Sequence, residues 1–177
     1  MTASVDQHAF RGALARFASG VTVVSTVQDG IDHAMTASAF TSVSLHPPLV
    51  LVCSHTTSRF HEAVLETGFW GVSILAEEGI AASAWFAHSG RPLEDQLQGI
   101  AFHRGESGAA LLDESLAWLE CDTVSVTDGG DHTILVGAVT GAAVRDEIDD
   151  PLLYYRSHYG TIVRLPDSEK TVYGSNT

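Results

Sequence analysis

Residues 36–39 read Thr-Ala-Ser-Ala, a run of small side chains carrying two hydroxyls. Small residues let backbone amides come close to a flat ligand, and hydroxyls can bond its polar rim. The same run would serve equally as a strand packed tightly on a helix. A second group, Cys53, Ser54, Thr57, Ser58 and Arg59, sets hydroxyls and one guanidinium where a helix is predicted to begin. The unpaired N–H groups of a helix N-terminus suit an anion. Capping alone would account for Thr57 or Ser58. It does not account for Arg59, because a cation is disfavoured in the first turn. A third group is His132 with Tyr154, Tyr155, Arg156 and Tyr159. Aromatic faces suit a flat base and a guanidinium suits a pyrophosphate, although a turn histidine and an aromatic core stripe fit the same residues.

Other chemistries find less support. Nine histidines are scattered without a His-Glu-x-x-His or a Cys/His ligand cluster, so no metal site is expected. Gly71-Val72-Ser73-Ile74-Leu75 lacks the second glycine of a nucleophile elbow. A Gly-x-Gly-x-x-Gly after the first strand, which a dinucleotide fold would want, is also missing. The formal net charge of -13 argues against nucleic-acid binding and means that any nucleotide site needs local positive compensation. Arginines must supply it, since Lys170 is the only lysine. Cys53 and Cys121 lie in separate apolar runs and read as buried free thiols. With no signal-peptide pattern and no bilayer-length apolar run, the expectation is a cytoplasmic protein without a membrane span.

The elements that must position these groups follow from local signals. Ser4-Val5-Asp6-Gln7 has capping-box spacing, and Phe10, Leu14 and Phe17 recur at helical intervals up to Gly20. Val21–Val27 and His33–Phe40 read as strands around an Asp29-Gly30 turn. Pro47-Pro48 punctuates the start of a short apolar strand, Leu49–Cys53. Thr56-Thr57-Ser58 offers N-caps for a helix over Arg59–Glu66 that stops at Gly68. Phe69–Leu75 reads as a strand, Glu77–Ala87 as a helix and Ser89–Ser107 as irregular. Leu116–Val126 and His132–Val144 read as long strands, Asp149–Tyr159 as an aromatic connection and Thr161–Leu165 as a short strand. Strands dominate without βαβ alternation, which predicts one mainly β domain over residues 1–166, an antiparallel barrel with α decoration, and a polar tail over 167–177.

From about Phe10 to Leu165 the chain resembles the flavin reductases. The resemblance rests on ordered fragments: Phe17-Ala18-Ser19-Gly20-Val21-Thr22-Val23-Val24, Met35-Thr36-Ala37-Ser38-Ala39-Phe40, Pro47-Pro48-Leu49-Val50 and Ser58-Arg59 with His61. Later fragments are Gly108-Ala109, Leu111-Leu112-Asp113, Ala117-Trp118-Leu119-Glu120-Cys121, Gly130-Asp131-His132 and Pro151-Leu152-Leu153-Tyr154-Tyr155. It implies a homodimeric Greek-key split β-barrel of the FMN-binding type. It also implies an NADH-dependent reductase that passes diffusible reduced FAD or FMN to a partner flavin-dependent monooxygenase.

On this resemblance Thr36, Ala37, Ser38, Ala39 and Ser42 would line the flavin ring. Cys53, Ser54, Thr57, Ser58 and Arg59 would handle its ribityl chain and phosphate. His132 would face and position the nicotinamide, and Tyr154, Tyr155, Arg156 and Tyr159 would hold NADH. A non-catalytic flavin- or heme-binding protein on the same scaffold is the alternative. Three positions depart from the family pattern. Asp95-Gln96-Leu97 stands where a basic residue and phenylalanine are common after the aspartate. Phe60 replaces a small hydroxyl residue, and His55 replaces a polar amide.

Overall fold

The computed structural model describes residues 5–146 and 149–164, which excludes the predicted tail and leaves Ser4 and Leu165 outside the described residues. Asp29 and Gly30 have φ of 51° and 78°, the left-handed pair that a two-residue hairpin turn demands. They join β2 (Thr22–Gln28) to β3 (Ile31–Ala37) in the register Gln28 to Ile31. The predicted strand through Phe40 breaks instead at Ser38-Ala39, and β4 (Phe40–Leu45) departs in a new direction to pair with β5 (Pro48–His55).

Ser58 caps α2 (Arg59–Thr67), its hydroxyl accepting from the His61 N–H at 3.1 Å, and the helix ends at Gly68 as predicted. Next come β6 (Phe69–Leu75), a single 3-10 turn at Glu77–Gly79 and α3 (Ile80–Ala87), so the one helix expected over Glu77–Ala87 is divided. The stretch read as irregular contains β7 (Phe102–Arg104), which pairs with β8 (Ala110–Leu112). Two long strands follow, β9 (Ser115–Asp128) and β10 (His132–Val144). The aromatic connection is a small hairpin of β11 (Leu153–Tyr155) and β12 (His158–Gly160), against which β1 (Ser19–Gly20) pairs through β11. Residues 161–164 form no strand, contrary to the sequence pattern, because the ladder already ends at Gly160. At the N-terminus, Asp6 caps α1 (Gln7–Leu14) through the Ala9 N–H at 3.0 Å.

The main sheet is antiparallel, in the order β3-β2-β6-β9-β10-β5-β4. Its two edge strands, β3 and β4, are consecutive in the chain and meet at the Ser38-Ala39 bend. Apolar residues are buried in two groups. One gathers Val21, Val23, Leu75, Phe86, Leu112 and Leu152 beneath α3, and the other gathers Val24, Val52, Phe60, Val64, Trp70 and Leu135 beneath α2. Each fully buried large side chain contributes about 1.5–3 kcal/mol by leaving water. A Cβ at Gly137 would stand 2.6 Å from the Trp70 ring and 2.8 Å from Cys121, so only glycine lets β10 cross the indole.

Both cysteines are free. Cys121 is buried, and burial first, then the nearby Asp122 and Glu120 charges, push its thiol up to about 12, while Cys53 is half-buried. Among the described residues no helix is long and apolar enough to cross a membrane.

Candidate functional site

As an edge strand, β3 leaves one row of backbone groups outside the ladder. Along that row the Asp32 carbonyl accepts from the Gln96 side chain and the Ala34 carbonyl accepts from Arg91. Alternation places Thr36 next on the same edge. There the strand borders a cleft of about 570 Å³ lined by residues 34–36, His55, residues 57–60 and residues 86–91. The cleft therefore lies between the small-residue strand and the N-terminus of α2, two features singled out in the sequence.

Arg59 is half-buried in this cleft, and the described residues supply it with no ion pair or side-chain hydrogen bond. Arg91 faces the same space. Its guanidinium donates to the carbonyls of Phe86, His88 and Ala34 and to Gln96 Oε1, all neutral acceptors, and its buried Nε has no partner. Burial first, and then repulsion from Arg59, lower the Arg91 pKa. Behind them His33 is buried and held below the ordinary histidine value, chiefly by desolvation. No Asp or Glu lines the cleft among the described residues. In a chain of net charge -13, this is a local concentration of uncompensated positive charge.

Thr36, Thr57, Ser58 and Arg59 of the predicted site all line the cleft. The Thr36 hydroxyl donates to the Ser83 carbonyl at 2.7 Å, so toward a ligand that oxygen can only accept. Ser54 stands just behind, fully buried, with its hydroxyl 3.0 Å from that of Ser58. Ala37 faces inward and belongs to the core beneath α2. Ser38, Ala39, Ser42 and Cys53 do not line the cleft: the first three are exposed near the bend and on β4, and Cys53 is half-buried on β5.

His132 begins β10 directly across from His55, the two rings edge to face with centroids 5.0 Å apart. Asp131 bonds His132 Nδ1 at 2.7 Å, and this contact holds the exposed carboxyl below the usual range. His55 lines the cleft, and its Nδ1 accepts from the Thr57 N–H at 3.2 Å. The Thr56 N–H donates to the Asp131 carbonyl at 3.1 Å, tying the β9–β10 turn to the start of α2. Tyr154, Tyr155 and Arg156 lie outside the cleft on the β11–β12 hairpin, all exposed, with Arg156 in the turn at φ 50°. Tyr159 pairs across that hairpin with Tyr154, ring centroids 5.4 Å apart, and its hydroxyl lies 2.9 Å from that of Ser83.

The outer wall, residues 86–91, was not recognised as part of a site from the sequence. In the sequence this stretch reads only as the end of the Glu77–Ala87 helix and the start of the irregular segment from Ser89. Gln96, which departs from the family's basic residue, is buried and bonds Arg91 and the Asp32 carbonyl. Phe60 is buried in the core while Arg59 beside it stays in the cleft. Among the described residues no three His, Cys, Asp or Glu side chains are grouped to hold a metal.

Residues 14–163 match the family model of the flavin reductase like domain. The chain belongs to the flavin reductase-like family. The reductase subunit HsaB of a flavin-dependent monooxygenase from Mycobacterium tuberculosis is 36% identical over 172 residues, covering 97% of this chain and 88% of that protein. BorF, the flavin reductase component of a bacterial two-component tryptophan halogenase, superposes with a TM-score of 0.83 at 40% identity, over 92% of this chain and 99% of BorF. The NADH:FAD oxidoreductase SgcE6 of Streptomyces globisporus C-1027, solved with NAD and FAD fragments, gives a TM-score of 0.83 at 33% identity over 93% and 96% of the two chains. A mainly β antiparallel architecture with few helices is common ground between this flavin reductase-like chain and those neighbours.

Proposed function

We propose that this protein is an NADH-dependent flavin reductase that releases reduced FAD or FMN for a separate monooxygenase. The observation that carries the reading is the cleft itself. Two guanidinium groups without a carboxylate face it beside the free edge of a strand, in an otherwise acidic chain. Family membership and the relatives' described activities support the same conclusion.

The residues present fit a flavin. Arg59 and the capped N-terminus of α2 would hold its phosphate, because a half-buried guanidinium without a partner gains a charge-assisted bond there. Thr36 would meet the polar rim of the ring through its backbone edge and its accepting oxygen. A bound flavin supplies the hydride acceptor for NADH. Hydride transfer asks of the protein only that the two rings stack at about 3–3.5 Å with the reacting atoms aligned. His132, fixed by Asp131, would position the nicotinamide, with the tyrosine hairpin and Arg156 holding the rest of NADH.

A homodimeric split barrel completes the proposal. The consecutive edge strands β3 and β4 support closure. The exposed Val43 and Leu45 on β4, with Val124 and Val126 on β9, offer apolar area for a second copy. One domain over 1–166 accords with the family match, and the two free cysteines accord with a cytoplasmic setting. The test is NADH consumption by purified protein, with FMN and FAD each added in turn. A rate that depends on protein, flavin and NADH supports the proposal; no flavin-dependent rate with both flavins rejects it.

A further inference from the structure

Ser83 is the only hydroxyl residue on α3, a helix whose sequence Ile-Ala-Ala-Ser-Ala-Trp-Phe-Ala is otherwise apolar, and it is fully buried. Burying a hydroxyl without a partner is costly, so a serine at such a position is retained for its bonds. A serine within a helix commonly turns its hydroxyl back to the carbonyl one turn earlier. Here the hydroxyl meets the Tyr159 hydroxyl at 2.9 Å, while the Ser83 carbonyl accepts from Thr36 Oγ1 at 2.7 Å. One residue therefore bridges the cleft edge of β3 and the hairpin that carries Tyr154 and Tyr159.

We infer that Ser83 is a positioning residue that fixes the nicotinamide-binding hairpin relative to the flavin-binding strand. The inference rests on the flavin reductase reading. Tyr159 cannot shift without losing this bond, and Tyr154 packs on Tyr159 edge to face, so the linkage extends across the hairpin. Hydride transfer is sensitive to misplacement of this kind, a displacement of about 1 Å costing up to about a hundredfold in rate. Ser83 is fully buried and does not line the cleft, so it acts through Thr36 and Tyr159.

Ser83→Ala cuts the link to Tyr159 and keeps the bond from Thr36, which is made to the main chain. Flavin Kd, read from flavin fluorescence, should stay within about twofold, while kcat/KM for NADH falls about tenfold. Tyr159→Phe removes the same bond from the hairpin side and should reproduce that split, so the test survives even if the helix variant fails to fold. The double variant should be no worse than either single one, because one bond is being removed twice. Unchanged kcat/KM for NADH, additive losses, or a loss confined to flavin Kd and Tm would each overturn the inference. A wild-type protein with no flavin-dependent NADH oxidation overturns the parent reading as well, whereas an active wild type with unaltered variants overturns this one alone.

Discussion

Replacing Arg59 by Gln tests the anion site most sharply. Arg59 is half-buried, has no carboxylate partner among the described residues, and repels Arg91 within the same cleft. A unit charge about 4 Å from a phosphate oxygen gains about 4 kcal/mol at an effective dielectric constant of about 20, before desolvation is charged against it. Hydrogen bonds to charged groups are worth about 1.5–3 kcal/mol net, so about 2 kcal/mol is a fair expectation here. At about 1.4 kcal/mol per tenfold, the Kd for FMN should rise about 30-fold. Riboflavin, which has the same ring and no phosphate, should bind variant and wild type alike. Titration by flavin fluorescence at low and high salt reads both numbers, and the FMN difference should shrink as salt screens the charge. Since the substitution also relieves repulsion on Arg91, Tm should hold or rise slightly. Equal losses for FMN and riboflavin, or no loss for either, would refute the assignment of Arg59 to the phosphate.

Further predictions concern the scaffold. Gly137→Ala drives a methyl group into Trp70 and Cys121, and overpacking of this kind should cost about 1–3 kcal/mol in denaturant unfolding. Burial raises the Cys121 thiol to about 12, so native protein should resist thiol reagents at this residue, and unfolded protein should react. The sign for stability follows from that direction. The folded state holds the proton more tightly, so the contribution is intact below the thiol's unfolded value and is lost as pH rises from about 9 toward about 12. Cys121→Ser should flatten that alkaline limb of a pH–stability curve.

Much of the scaffold could be read from local chemistry. Asp29-Gly30 dictates its hairpin, and Ser58 and Gly68 bound α2, because turn and cap requirements act over a few residues. The Phe10, Leu14 and Phe17 pattern predicts a helix running up to Gly20, but α1 ends at Leu14 and Ser19-Gly20 form β1. All three side chains are exposed, so periodicity located the element without showing where it ends or what covers it. The outer wall of the cleft was not legible, since it depends on Arg91 reaching a carbonyl 57 positions away on β3. The break at Ser38 was hidden for a similar reason. Residues 36–39 suit a continuing strand, and only the pairing of β4 with β5 pulls the chain aside. Of the small-residue run Thr36 lines the cleft, whereas Ala37 packs in the core and Ser38 and Ala39 do not line it.

On the proposed function, the cleft supports repeated hydride transfer to a flavin that then leaves. The direct measurement is anaerobic mixing of a small amount of protein with excess NADH and excess FMN or FAD, followed by ultrafiltration and an absorbance spectrum of the filtrate. Many equivalents of reduced flavin per protein chain are expected in the filtrate. At most one equivalent, retained with the protein, would contradict it and identify a flavin carrier instead.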